Sequence, residues 1–172
     1  MPETTSTPTS PDTVTIRRAG PEDAELVQTM VMEIAAHEGD VEHVQVTADH
    51  WREQLADPHV IVFVAARDGQ PAGYVSAVRR RNLWGGDWLV GVDDLYVRDQ
   101  HRSQRVGERL MGRMASHAES ERAIVRWEMK IDNTGAQRFY ARLGASLRTK
   151  MIAAWVPEAY ASHAEAARRR DA

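Results

Sequence analysis

The chain has 172 residues, 42% of them hydrophobic and 27% charged, with a net charge of −3, which suits one domain with a sizeable core. That balance excludes a dedicated nucleic-acid binder, which would be basic overall, while leaving room for a local basic patch. With no cysteine there is no disulfide, thiolate metal site or Cys nucleophile, and no apolar run approaches the roughly 20 residues of a membrane span.

Residues 1–12 (MPETTSTPTSPD) have almost nothing to bury and are expected to form a disordered tail. They lack the basic start and apolar core of a signal peptide, so the expected location is cytoplasmic. Residues 13–17 alternate like a short strand. Pro21-Glu22-Asp23 then opens a helix with Leu26, Met30, Ile34 and Ala35 at helical spacing, stopped by Gly39. Thr47 caps a second helix carrying Trp51 and Leu55, and Asp57-Pro58 closes it. Residues 60–66 (VIVFVAA) are a β-branched run suited to a strand buried on both faces. Asp68 to Pro71 form a turn, and residues 73–78 return as a strand. Arg79, Arg80 and Arg81 precede a Gly-Gly turn between Trp84 and Trp88.

The stretch 92–110, VDDLYVRDQHRSQRVGERL, passes from a strand (89–97) through a polar turn into a helix (about 105–120). Unpaired amides and the helix dipole make such a junction an anion site. Asp93 and Asp94 lie just upstream, so acid/base groups beside a phosphate cradle suggest group transfer from a phosphorylated donor. The helix puts Val106, Leu110, Met114 and Ala118 on one face and Arg105, Arg109 and Arg113 on another. Residues 124–130 alternate as a strand, and Asn133 caps a helix that Gly144 ends. Residues 147–156 read as a last strand, with a short helix after Pro157. The order β-α-α-β-β-β-α-β-α-β predicts a single domain over 13–172, of the α+β (mixed α/β) class, with a mostly antiparallel sheet flanked by helices.

This order, with two motifs, resembles the GNAT superfamily of acyl-CoA-dependent N-acetyltransferases. The family signature Arg/Gln-x-x-Gly-x-Gly/Ala falls on Arg102-Ser103-Gln104-Arg105-Val106-Gly107. The frame Asn-x-x-Ala-x-x-Phe-Tyr-x-x-x-Gly-Ala falls on Asn133 through Ala136, Phe139, Tyr140, Gly144 and Ala145. Together they are specific, where either alone is weak. Within the superfamily the chain is similar to the diamine (spermidine/spermine and thialysine) acetyltransferases, through residues 33–47 and Asp93-Asp94-Leu95-Tyr96-Val97. One position departs: Arg105 stands where the signature has its first glycine. Its side chain either pairs with a phosphate or obstructs the pyrophosphate.

The resemblance implies acetyl-CoA as co-substrate, a small-molecule amine acceptor (of polyamine, amino acid or amino sugar type) and a homodimer; Trp155 is a candidate for its interface, with a core role as the alternative. It implies that Arg102, Ser103, Gln104, Arg105, Val106 and Gly107 hold the pyrophosphate, and that the backbone of Leu95, Tyr96 and Val97 pairs with pantetheine amides. Asn133 either bonds the pantetheine arm or serves only as a cap. Tyr140 matches the residue that protonates the departing thiolate, against the reading of a core aromatic. An alkylamine has a pKa of about 10.4, so a general base helps at pH 7. Asp93, where the resembling enzymes carry Glu, either fills that role, directly or through water, or binds a cationic substrate. Glu33, His37, Glu38 and Asp94 are candidate acceptor-binding residues, an acidic rim for a cationic amine, with a solvated helix end as the alternative for the first three. Against a polyamine stand Arg79–Arg81, Arg148 and Lys150, a mixed-charge mouth that fits an amino acid or an amino sugar at least as well. No metal spacing is recognised. The stripe Arg105, Arg109 and Arg113 is a solvated helix face by default, or a contact to the CoA 3′-phosphate or to a nucleic-acid backbone. Two rivals remain: an acyltransferase drawing on another donor such as aminoacyl-tRNA, with the stripe on a phosphate backbone, and a catalytically idle GNAT-fold binding module.

Overall fold

The computed structural model describes residues 13–170, so the expected tail at 1–12 lies outside the described residues. Five strands form one sheet in chain order: β1 (Val14–Arg18), β2 (Val60–Arg67), β3 (Gln70–Arg81), β4 (Trp88–Val97) and β5 (Ile124–Trp127). The first four pair antiparallel, and β5 runs parallel to β4. The helices are α1 (Ala24–Glu38), α2 (Ala48–Ala56), α3 (Val106–Ser120), α4 (Thr134–Arg142) and α5 (Pro157–Arg170). A parallel pair needs a crossover, which α3 supplies. The expected mixed α/β fold with a mostly antiparallel sheet is present. The chain divides into two compact units, Met1–Glu128 with the sheet and α1–α3, and Met129–Ala172 with α4 and α5.

Alternation along β2 sorts its apolar run between two helical layers. Val62 and Val64 join Val27, Met30, Val31 and Trp51 of α1 and α2 in one buried cluster with Tyr74 and Tyr96. Ile61 and Phe63 point the other way, where the Phe63 ring meets His117 of α3 at 6.0 Å. Local signals set the ends of these helices. Gly39 closes α1 in the left-handed conformation. The Thr47 hydroxyl accepts from the His50 amide at 3.3 Å to cap α2.

Gly73 has a different role. It pairs with Val97, and a Cβ there would lie 2.3 Å from the Tyr96 carbonyl oxygen. Backbone cannot yield as a flexible side chain does, so β4 is drawn against β3 only because the side chain is missing. Gly73→Ala is expected to cost about 1–3 kcal/mol by over-packing, read as a lower midpoint in urea unfolding.

Several elements differ from expectation. β3 starts at Gln70 rather than 73, which leaves the turn to Asp68 and Gly69. β3 runs three residues further than its apolar run, so Arg79–Arg81 belong to a strand because β4 supplies the ladder. β5 stops at Trp127 rather than 130. Residues 147–156 form no strand. Alternation gives a segment the capacity to pair, but a strand exists only where a ladder partner takes its amides, and Met151 and Ile152 stay exposed. Among the described residues no helix is long and apolar enough to cross a membrane.

Candidate functional site

The middle of the site is an irregularity in β4. Ser76 pairs with Asp94 and Ala77 with Val92, so Asp93 is the extra residue of a bulge. On its other side β4 pairs with β5 only from Leu89 to Val92. Asp93 to Val97 therefore continue with no strand partner on that edge among the described residues. The backbone groups turned toward that edge, apart from the Val97 carbonyl, which accepts from Arg102 Nε at 3.2 Å, offer an extended ligand the pairing of a further strand. Leu95, Tyr96 and Val97 all fall in this overhang.

The two carboxylates differ in surroundings. Burial first, and then the charge of Asp94, pushes the Asp93 carboxyl above the usual carboxylate range. Asp94 is also raised by burial, partly offset by the Tyr74 hydroxyl, which donates to its Oδ2 at 3.0 Å. The charge of Glu38 raises it further, and its own amide donates to Ser76 Oγ at 3.2 Å. A raised folded-state pKa means that the native chain binds the proton more tightly than the unfolded one. Stability contributed by Asp94 thus falls as pH rises from its unfolded to its folded pKa and stays lower above. Asp94→Asn keeps an acceptor for Tyr74 and is expected to raise the melting temperature at pH 7–8, with the gain vanishing in acid; a lower melting temperature at pH 7 counts against this account.

The acidic end of α1 is less uniform than its sequence. Glu33 is held by Arg98, whose Nε and Nη2 donate to it at 2.9 and 2.7 Å while Nη1 donates to the Pro71 carbonyl at 2.9 Å. That fork ties α1 to the end of β4, 65 residues away, and occupies the Glu33 carboxylate. Glu38, in the last turn of α1, is close enough for its charge to act on Asp94. His37 is exposed beside it.

Beyond β4 the chain reaches α3 through Arg102 to Arg105. Arg102 pairs with Asp99 at 2.9 Å, and Gln104 donates to the Gln100 carbonyl at 3.1 Å. Ser103 and Arg105 have φ of 62° and 61°. Arg105 is the N-cap of α3 yet supplies no side-chain hydrogen bond to it, so the first-turn amides, from Val106 and Gly107 onward, keep no side-chain cap. The arginine thus adopts the left-handed conformation that favours glycine. Its exposed guanidinium is in no ion pair among the described residues.

A cavity of about 390 Å³ opens beside the bulge, lined among others by Arg80, Gly91, Asp93, Arg126, Trp127 and Glu128. From sequence, Arg80 counted only within the Arg79–Arg81 run of a mixed-charge mouth, and Arg126 was not singled out; the signal available was strand alternation. It sends Arg79 and Arg81 to one face, where both guanidiniums stack on Trp88 at 4.2 and 3.8 Å, and Arg80 to the other. Among the described residues no group of three metal-ligating side chains occurs.

The second unit holds Asn133 and Tyr140. Asn133 Oδ1 accepts from the Ala136 amide at 2.9 Å, capping α4. Tyr140 is buried on α4, its ring 5.1 Å from Phe139 in an edge-on contact, and burial raises its hydroxyl pKa.

The model of the acetyltransferase (GNAT) family matches residues 28–145. An aminoalkylphosphonate N-acetyltransferase of Salmonella typhimurium (strain LT2) is 28% identical over 130 residues, covering 75% of this chain and 82% of that protein. An aminoglycoside acetyltransferase from an uncultured soil metagenomic sample superposes with a TM-score of 0.73 at 17% identity, over 84% of this chain and 99% of that one. A ribosomal-protein-alanine N-acetyltransferase from Brucella melitensis biovar Abortus 2308 does so at 0.68 and 17% identity, with the same coverage.

Proposed function

Because the chain belongs to the acetyltransferase (GNAT) family, we propose that it transfers an acetyl group from acetyl-CoA directly to the primary amine of a small molecule. The observation that carries this reading is the β4 overhang: five residues without a partner strand on one edge, starting at the Asp93 bulge and leading to the uncapped start of α3. The overhang suits the amides of pantetheine, and the α3 amides suit a pyrophosphate. Asp93 takes the proton that the attacking amine must lose. A backbone N–H at the bulge supports the developing oxyanion, and Tyr140 returns a proton to the thiolate.

Acetyl-CoA titration of the wild type and Arg105→Gly tests the donor. Arginine in the left-handed region is strained, so the glycine variant is expected to be about 1 kcal/mol more stable. It is also expected to bind acetyl-CoA about tenfold more weakly, having lost a charged partner for a phosphate. Opposite signs separate backbone from side chain; tighter binding by the variant would show that the arginine obstructs, and no binding by either would end the acetyl-CoA reading.

The aminoacyl-tRNA alternative needs the arginine stripe of α3 free, yet Arg113 lies over the Phe63 ring at 5.0 Å. Two hints bear on the acceptor. Resemblance over residues 33–47 points to a diamine, whereas the curated relative's name joins an amine to a phosphonate. A cytoplasmic homodimer belongs to the same reading, with exposed Trp155 available to an interface.

A further inference from the structure

Taking the acetyltransferase reading of the site as its basis, we propose that the acceptor is an amine that also carries an anion, a phosphonate, phosphate or carboxylate, which Arg80 and Arg126 hold over Gly91. The sheet register puts the two arginines there. Arg80 pairs with Leu89, and Gly91 pairs with Val78 on one side and Arg126 on the other. Paired residues share a face, so Arg80 from β3 and Arg126 from β5 flank the Leu89–Gly91 stretch of β4 on the cavity side. Their Cα atoms are two strands and two residues apart, roughly 12 Å, which long side chains can close from both sides.

Charge argues in the same direction. Neither Arg80 nor Arg126 has an acidic partner among the described residues, whereas neighbouring arginines are engaged: Arg79 with Glu121, Arg98 with Glu33 and Arg102 with Asp99. Two unpaired guanidiniums lining one concavity repel each other, and an oxyanion between them removes that cost while accepting forked hydrogen bonds. Asp93 and Glu128 line the same cavity without pairing to either arginine, so both signs are presented. Asp93 lies two residues beyond Gly91, roughly 6–7 Å along β4, a spacing that suits an amine and an anion on one short chain. A diamine of that length would set its second ammonium against the two guanidiniums.

Gly91 keeps the floor open. A Cβ there would meet only the Val78 carbonyl oxygen, at an ordinary 3.7 Å, so the fold does not require glycine. Gly91→Val therefore fills the site without over-packing the sheet.

The test is calorimetric titration of 2-aminoethylphosphonate, 3-aminopropanoate, propylamine and 1,4-diaminobutane into wild type, Arg80→Gln/Arg126→Gln and Gly91→Val, paired with thiol release from acetyl-CoA. Circular dichroism and acetyl-CoA binding confirm that each variant is folded. The anionic amines are expected to bind at least about tenfold more tightly than propylamine, and both variants are expected to abolish that preference. The phosphonate and carboxylate arms separate the two anion types. Equal or tighter binding of propylamine or the diamine overturns the proposal, as does preference unaltered by the arginine substitutions. A double variant that raises KM for acetyl-CoA but not for the acceptor also overturns it, placing the arginines on the donor. Arginine-dependent binding without acetylation leaves the anion site standing and removes the acetyltransfer reading; acetylation indifferent to the anion does the reverse.

Discussion

Replacing Tyr140 with phenylalanine is expected to lower kcat about a hundredfold, the scale of one general acid, while acetyl-CoA affinity and melting temperature hardly change. The hydroxyl is the only group removed. The aromatic packing survives, because Phe139 and the remaining ring keep their edge-on contact. Burial raises the Tyr140 pKa, so the phenol is protonated throughout the neutral range, as a donor to a departing thiolate must be. A role confined to packing predicts no loss of turnover, because the ring that packs is kept. Measured kcat within twofold of wild type would remove Tyr140 from the chemistry, and the frame from Asn133 to Ala145 would then speak for the fold alone.

Legibility in the sequence followed the range of the interaction concerned. Gly39 and the Thr47 cap are written in neighbouring residues, and the structure has both where the sequence placed them; the turn read over Asp68 to Pro71 is there too, tightened to Asp68-Gly69. The Asp93-Asp94 pair was visible, but the bulge that sets Asp93 apart depends on pairing with Ser76 and Ala77, from another strand. Glu33 read as part of an acidic rim because nothing local announces a partner 65 residues away. Arg79–Arg81 read as a flanking basic run until β4 extended the ladder past the apolar residues. Residues 147–156 had the alternation of a strand but acquired no ladder. Charged residues were easy to find and hard to assign, since their partners are fixed by register rather than by spacing.

Asp93→Asn is expected to lower kcat about a hundredfold at pH 7, with KM for the acceptor changed far less. The amide is nearly isosteric and holds the bulge, but it cannot accept the proton. A second signature comes from pH. A base must be ionised, so wild-type activity falls as pH drops through the Asp93 pKa. Burial and the neighbouring Asp94 raise that pKa, which moves the acid limb upward, toward neutrality. The variant should lack this limb. At the alkaline end a growing share of the amine is already neutral, since its pKa is about 10.4, and the gap between wild type and variant should narrow. Two results would reassign the residue. A large rise in KM with kcat preserved makes Asp93 a binder of the ammonium group, and an acid limb that persists unchanged in the variant transfers the titration to Asp94. Either result leaves the donor proposal for the β4 overhang as it stands and moves only the proton.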